Sequence, residues 1–82
     1  MAKLKTLSGR DLLGIFAKFG FQRETTRGSH IKLRRILASG SKQTLVLVMH
    51  SELDKGTLHA IFRQACRHIP EAELRPHFYA ED

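Results

Sequence analysis

Leu12, Leu13, Ile15, Phe16 and Phe19 recur at the spacing of one helical face, the clearest pattern in the chain. They predict a helix over Ser8–Phe21. Ser8 can cap its start, and Asp11 three residues on completes a capping box. Gly20 supplies a left-handed stop, with Phe21 folding back onto the helix end. The periodicity then changes from helical to alternating. Phe21–Thr26 reads as a short strand that turns near Arg27-Gly28. Residues 30–37 form a second strand, in which Ile31 and Leu33 alternate with His30, Lys32 and Arg34. The alternation fails at Ile36-Leu37, where this strand bends or ends. Residues 38–42 read as a hairpin turn, and Gln43–Met49 as a third, strongly β-prone strand. Leu58, Ile61, Phe62 and Ala65 then define one face of a second helix, with Thr57 as its cap and Pro70 ending the pattern. The tail, Glu71–Asp82, fits either a further turn of helix or a mobile segment. The order predicts an α+β fold, α-β-β-β-α, with a three-stranded antiparallel sheet and two helices on one face.

The 82 residues suit a single domain. A chain of this size buries roughly 60–65% of its unfolded surface, so its core must be compact. The longest aliphatic run, Leu45–Met49, is far too short for a membrane span, and Met1–Lys5 lacks the apolar stretch of a signal peptide. The single cysteine, Cys66, precludes an internal disulfide and points to the cytoplasm and to a small core-filling role. Charge changes the picture more. Residues 1–35 hold nine Lys or Arg against two acids, while residues 36–82 hold five against six. The positive field lies around His30. It favours a polyanionic partner, nucleic acid rather than membrane, since no basic amphipathic helix stands out.

Gly28-Ser29-His30 is the stretch with the most chemistry. Cutting RNA without a metal needs a base for the 2′-hydroxyl proton, an acid for the departing 5′-oxygen, and cations beside the phosphate. An imidazole can serve as either acid or base near neutrality. Arg27, Lys32 and Arg34 oppose a second positive charge on His30 and so keep the ring fit to act as a base. Period-two geometry places His30, Lys32 and Arg34 on one face; Arg35, also a candidate for the RNA backbone, is out of phase with them. Ser29 can contact a phosphate oxygen, and Gly28 lets the backbone approach. The plainer alternative is an exposed strand histidine. His50, at the end of the third strand, is either an auxiliary acid or a loop residue. The Lys55-Gly56-Thr57 turn offers helix N-terminal amides to a phosphate, or simply starts the helix. No Cys-x-x-Cys or His-Glu-x-x-His spacing marks a metal site, and no cofactor is expected. Phe16, Phe19, Phe21 and Phe62 read as core, whereas Phe78 and Tyr79 in the tail could meet a partner.

Three segments together resemble the HicA family, small mRNA-cleaving ribonucleases of toxin–antitoxin pairs. Leu7-Ser8-Gly9-Arg10-Asp11-Leu12-Leu13 with Lys18-Phe19-Gly20-Phe21 is similar to the family's opening helix, and Gly28-Ser29-His30 to its catalytic tripeptide. Met49-His50 followed by Gly56-Thr57-Leu58-His59-Ala60-Ile61-Phe62-Arg63-Gln64-Ala65 is similar to its second helix. The resemblance spans about residues 4–68 and leaves the 70–82 tail outside it. It implies a fold like the double-stranded-RNA-binding domain and a single catalytic histidine, here His30. It also implies an mRNA substrate and a HicB-like antitoxin that masks the site. A non-catalytic RNA-binding module of the same fold is the alternative.

Overall fold

The computed structural model describes residues 2–81. Met1 and Asp82, the outer ends of the N-terminal segment and the tail read above, lie outside them. The chain runs β1 (Ala2–Leu4), α1 (Gly9–Ala17), β2 (Gln22–Arg27), β3 (His30–Ile36), β4 (Lys42–Val48), α2 (Lys55–Ala65), α3 (Glu71–Phe78) and β5 (Tyr79–Glu81). The architecture is α+β. Its centre is the expected antiparallel meander, in the order β2-β3-β4.

The capping box forms at the start of α1. Asp11 N–H donates to the Ser8 hydroxyl at 3.0 Å, and Ser8 N–H donates to the Asp11 carboxylate at 2.9 Å. These bonds hold the Asp11 carboxyl below its ordinary range. The helix is shorter than the apolar stripe predicts. Regular hydrogen bonding ends at Ala17, and a turn carries the chain through Gly20, which takes the left-handed φ of 89°. Phe21 N–H still returns to the Phe16 carbonyl, so Phe21 does fold back on the helix end.

In β3 the alternation holds as read: Ile31 and Leu33 are buried, whereas His30, Lys32 and Arg34 are exposed. Leu45 and Leu47 of β4 join them beneath the sheet. Leu12 and Phe16 of α1 and Leu58, Ile61, Phe62 and Ala65 of α2 close the same core. Each such leucine, isoleucine or phenylalanine removed from water stabilises the fold by about 1.5–3 kcal/mol.

Two expectations need correction. The second helix is capped by Asp54, whose carboxylate accepts from Thr57 N–H at 3.0 Å; Thr57 lies inside the helix. The tail is neither mobile nor a single extra turn. It forms α3 and β5, and β5 pairs antiparallel with β1, Ala2 opposite Glu81 and Leu4 opposite Tyr79. A third helix therefore joins the two expected ones. Leu74 and Phe78 of α3 are fully buried, and the Phe78 ring packs against Phe16 at 6.1 Å and Phe62 at 5.1 Å. Phe78 is core, not partner surface.

Candidate active site

Arg27 and His30 are register partners on either side of Gly28-Ser29, a two-residue hairpin connection. Gly28 has φ 60°, and no described non-glycine residue has a positive φ. That is the pattern of a type II′ turn, which demands glycine in its first central position. The turn delivers His30 as the first residue of the central strand, flanked by Arg27 on one side and Val48 on the other. Met49 N–H closes onto the Ser29 carbonyl at 2.7 Å. The backbone of Gly28-Ser29-His30 is thus pinned by both neighbouring strands while the imidazole stays exposed.

The strand pleat sets what surrounds the ring. Thr25 of β2 and Val46 of β4 pair with Lys32, and Thr44 pairs with Arg34. A cleft of about 480 Å³ is lined by Thr25, Arg27, His30, Lys32 and Val46. Arg27, His30 and Lys32 therefore share one depression, with Gly28 and Ser29 in the turn between Arg27 and His30 and Arg34 continuing the cationic row along β3. Lys42, across from Ile36 at the far end, belongs to the same face.

Glu24 organises this row. The β2–β3 register slips between Arg23 and Thr25, making Glu24 the extra residue of a bulge. Its half-buried carboxylate lies 2.6 Å from Lys42 Nζ, 3.7 Å from Lys32 Nζ and 3.9 Å from Arg34 Nε. The hydrogen bond from Lys42 holds the Glu24 carboxyl below its usual range against the opposing cost of burial, and Lys32 and Arg34 add to this. Neither Glu24 nor Lys42 belongs to a motif that marks it in the sequence. The signal for Glu24 was an isolated acid within the most basic third of the chain.

The auxiliary residues stand elsewhere. His50 is exposed just past the end of β4, and its carbonyl accepts from Gly9 N–H at 2.8 Å. Gly9 is required here: a Cβ at this position would lie 2.5 Å from the Val48 carbonyl oxygen and 2.7 Å from Met49 Cα. Lys55 and Thr57 open α2. One amide that a phosphate would use there, Thr57 N–H, already serves Asp54, whose carboxyl is held below its ordinary range by hydrogen bonding to the Thr57 side chain and then by this amide. Arg35 is not part of the exposed cationic row. Its guanidinium donates to the Phe19 carbonyl, the His68 carbonyl and the Gln43 side chain, and it lies 4.7 Å from the Phe21 ring centre.

The arrangement joins a ring able to exchange protons near neutrality to cations suited to phosphate oxygens. Among the described residues, no group of three or more His, Cys, Asp or Glu side chains could hold a metal ion. Nor is any helix there long and apolar enough to cross a membrane. The family model described as HicA toxin of bacterial toxin–antitoxin matches residues 9–65, which include the hairpin tip, the whole meander and α2. The chain belongs to the HicA toxin family. No curated protein and no solved structure matches it. The HicA match begins at Gly9, where α1 meets the end of β4, and stops at Ala65, the last residue of α2. The β1–β5 pair and α3 are this chain's structure outside the matched segment.

Proposed function

We propose that the protein is the toxin of a toxin–antitoxin pair, a metal-independent endoribonuclease that cuts mRNA in the cytoplasm through His30. The observation that carries this reading is the exposed His30 ring in a cationic cleft, at the tip of a turn that only glycine makes easily, in a chain of the HicA family. In this mechanism His30 takes the proton of a 2′-hydroxyl. The freed 2′-oxygen attacks phosphorus, the bond to the 5′-oxygen breaks, and a 2′,3′-cyclic phosphate remains. The departing oxygen gains a proton, for which His50 stands at the same end of the sheet as His30. Arg27, Lys32 and Arg34 draw in the phosphodiester and offset its growing charge, with Ser29 and the Gly28 backbone beside it. Lys55 and Thr57 lie further along the chain and have at most an accessory part in seating RNA. A HicB-like antitoxin would silence the enzyme by covering this cleft.

The test is cleavage of RNA by purified protein in EDTA. Wild type is expected to cut, and His30→Ala to lose at least about a hundredfold in rate, the scale of general acid–base catalysis. His30 is exposed, so the variant should keep the wild-type unfolding midpoint. A folded His30→Ala protein that still cuts at the wild-type rate would overturn the assignment. A wild type that binds RNA but yields no product at any pH would favour the non-catalytic binding module.

A further inference from the structure

A second cationic surface lies away from the His30 cleft. It is a groove of about 450 Å³ between α1, the segment joining β1 to α1 and the end of α3, lined by Lys5, Arg10, Gly14, Lys18 and His77 among others. Arg10, Gly14 and Lys18 follow one another at four-residue intervals, a single line along the helix. Among the described residues, no ion pair engages Lys5, Arg10 or Lys18. Asp11, the acid in the groove, is committed to the Ser8 capping box. Lys18 and Lys5 add to burial in disfavouring a charge on His77, the mark of a positive field inside the groove. Gly14 leaves the wall open midway, with no atom within 4 Å of where a Cβ would stand.

The groove connects to the first site through Arg10. The Gly9–His50 bond pins the start of α1 to the end of β4, whose Val48 is the register partner of His30. Arg10 lines both the α1 groove and a smaller depression with Ser8, Met49, His50 and Ser51. Met49, whose N–H bonds the Ser29 carbonyl at the hairpin tip, shares the smaller depression with Arg10, so Arg10 stands between that end of the sheet and Lys18.

We propose that the α1 groove formed by Lys5, Arg10, Gly14 and Lys18 is a second binding site for the RNA phosphate backbone, holding the strand that continues from the His30 cleft. The inference rests on the RNA reading above and extends it from a point of cleavage to a track. Such a site adds affinity and length dependence without reading bases. An acidic segment of a partner protein is the rival occupant. Continuity with the RNA-facing row favours nucleic acid.

Gly14→Glu tests the track without threatening the fold. The new side chain meets open space, replaces the poorest ordinary helix former, and can pair with Arg10 and Lys18 one turn away on either side. The readout is binding of 2′-O-methyl RNA, which cannot be cut, by fluorescence anisotropy at several salt concentrations. Oligonucleotides of about five and about thirty nucleotides separate one site from two. Gly14→Glu should unfold at or above the wild-type temperature, weaken binding of the long RNA about tenfold, and lower its salt slope by about 1–2. Binding of the short RNA should not change, and Gly14→Gln should behave as wild type. Equal losses on both lengths, or unchanged binding of the long RNA, would overturn the track. So would a variant that keeps RNA affinity but loses its antitoxin. A wild type that binds neither RNA would instead overturn the RNA reading itself.

Discussion

Arg35 illustrates how one position in a basic strand can differ in purpose from its neighbours. Lys32 and Arg34 point to solvent, whereas Arg35 faces inward and spends its planar fork on the Phe19 and His68 carbonyls and the Gln43 side chain. It ties the end of α1, the turn after α2 and the start of β4 together. Hydrogen bonds from a charged group contribute about 1.5–3 kcal/mol each, and unpaired carbonyls left behind add to the loss. Arg35→Ala should therefore destabilise the protein by roughly 2–4 kcal/mol in denaturant unfolding, and Arg35→Lys should recover little, because an ammonium cannot reproduce the fork. A loss below about 1 kcal/mol would contradict this account. The alternation of β3 was enough to separate Arg35 from His30, Lys32 and Arg34 in the sequence. Its partners were not legible, since they lie 16, 33 and 8 residues away and two are backbone carbonyls that carry no residue signature. Gly9 was hidden for the same reason: its need is set by Val48 and Met49, which approach only after folding.

At the scale of elements, the bulge in β2 does what a regular strand could not. It places a carboxylate among Lys32, Arg34 and Lys42 and keeps these three side chains gathered on the outer face. On the proposed function, an RNA phosphate would compete with this carboxylate for Lys32, Arg34 and Lys42. Glu24→Gln keeps the size of the side chain and removes the competing charge. It should tighten RNA binding several-fold at low salt and steepen the salt dependence by about one unit, measured by anisotropy across a salt series. Weaker binding would instead mean that the gathering of the cations outweighs the competition. The bulge itself was illegible, because Gln22–Arg27 has no buried apolar residue to report a slip in register. The elements with strong apolar periodicity, α1, α2, β3 and β4, were legible to within a few residues. The β1–β5 pair was not: three-residue strands from opposite ends of the chain have no local pattern to betray them. In α3, Leu74 and Phe78 are the only buried positions, and Pro76 inside the helix argues against one.

Over the whole molecule, charge and the two sides of the sheet divide the work. The buried faces of α1 and α2 pack beneath the meander and α3 joins their core, so the outer face of the sheet is left to the cations, and the net charge of +6 is carried by surface side chains. That distribution also sets how stability should respond to acid. His77, half-buried and edge-on to the Phe19 ring at 5.5 Å, has its pKa lowered by burial, with Lys18 and Lys5 adding to the effect. The unfolded chain therefore binds a proton at this residue more readily than the folded one, and stability rises with pH in that window. Its contribution is complete above the ordinary histidine value of 6.5 and is lost as the pH falls below it. Asp11, Glu24 and Asp54 act later. Their carboxyls are held below ordinary values of 3.8, 4.5 and 3.8, so the stability they add disappears only under more acid conditions. Thermal unfolding followed from pH 8 to pH 3 should show two falls, one beginning below about pH 6.5 and one below about pH 4.5. His77→Phe preserves an aromatic contact with Phe19 but cannot titrate, so it should diminish the first fall and leave the second in place. A first fall of undiminished size in that variant would mean that the acid sensitivity near neutrality arises elsewhere, and that the positive field of the α1 groove does not reach His77.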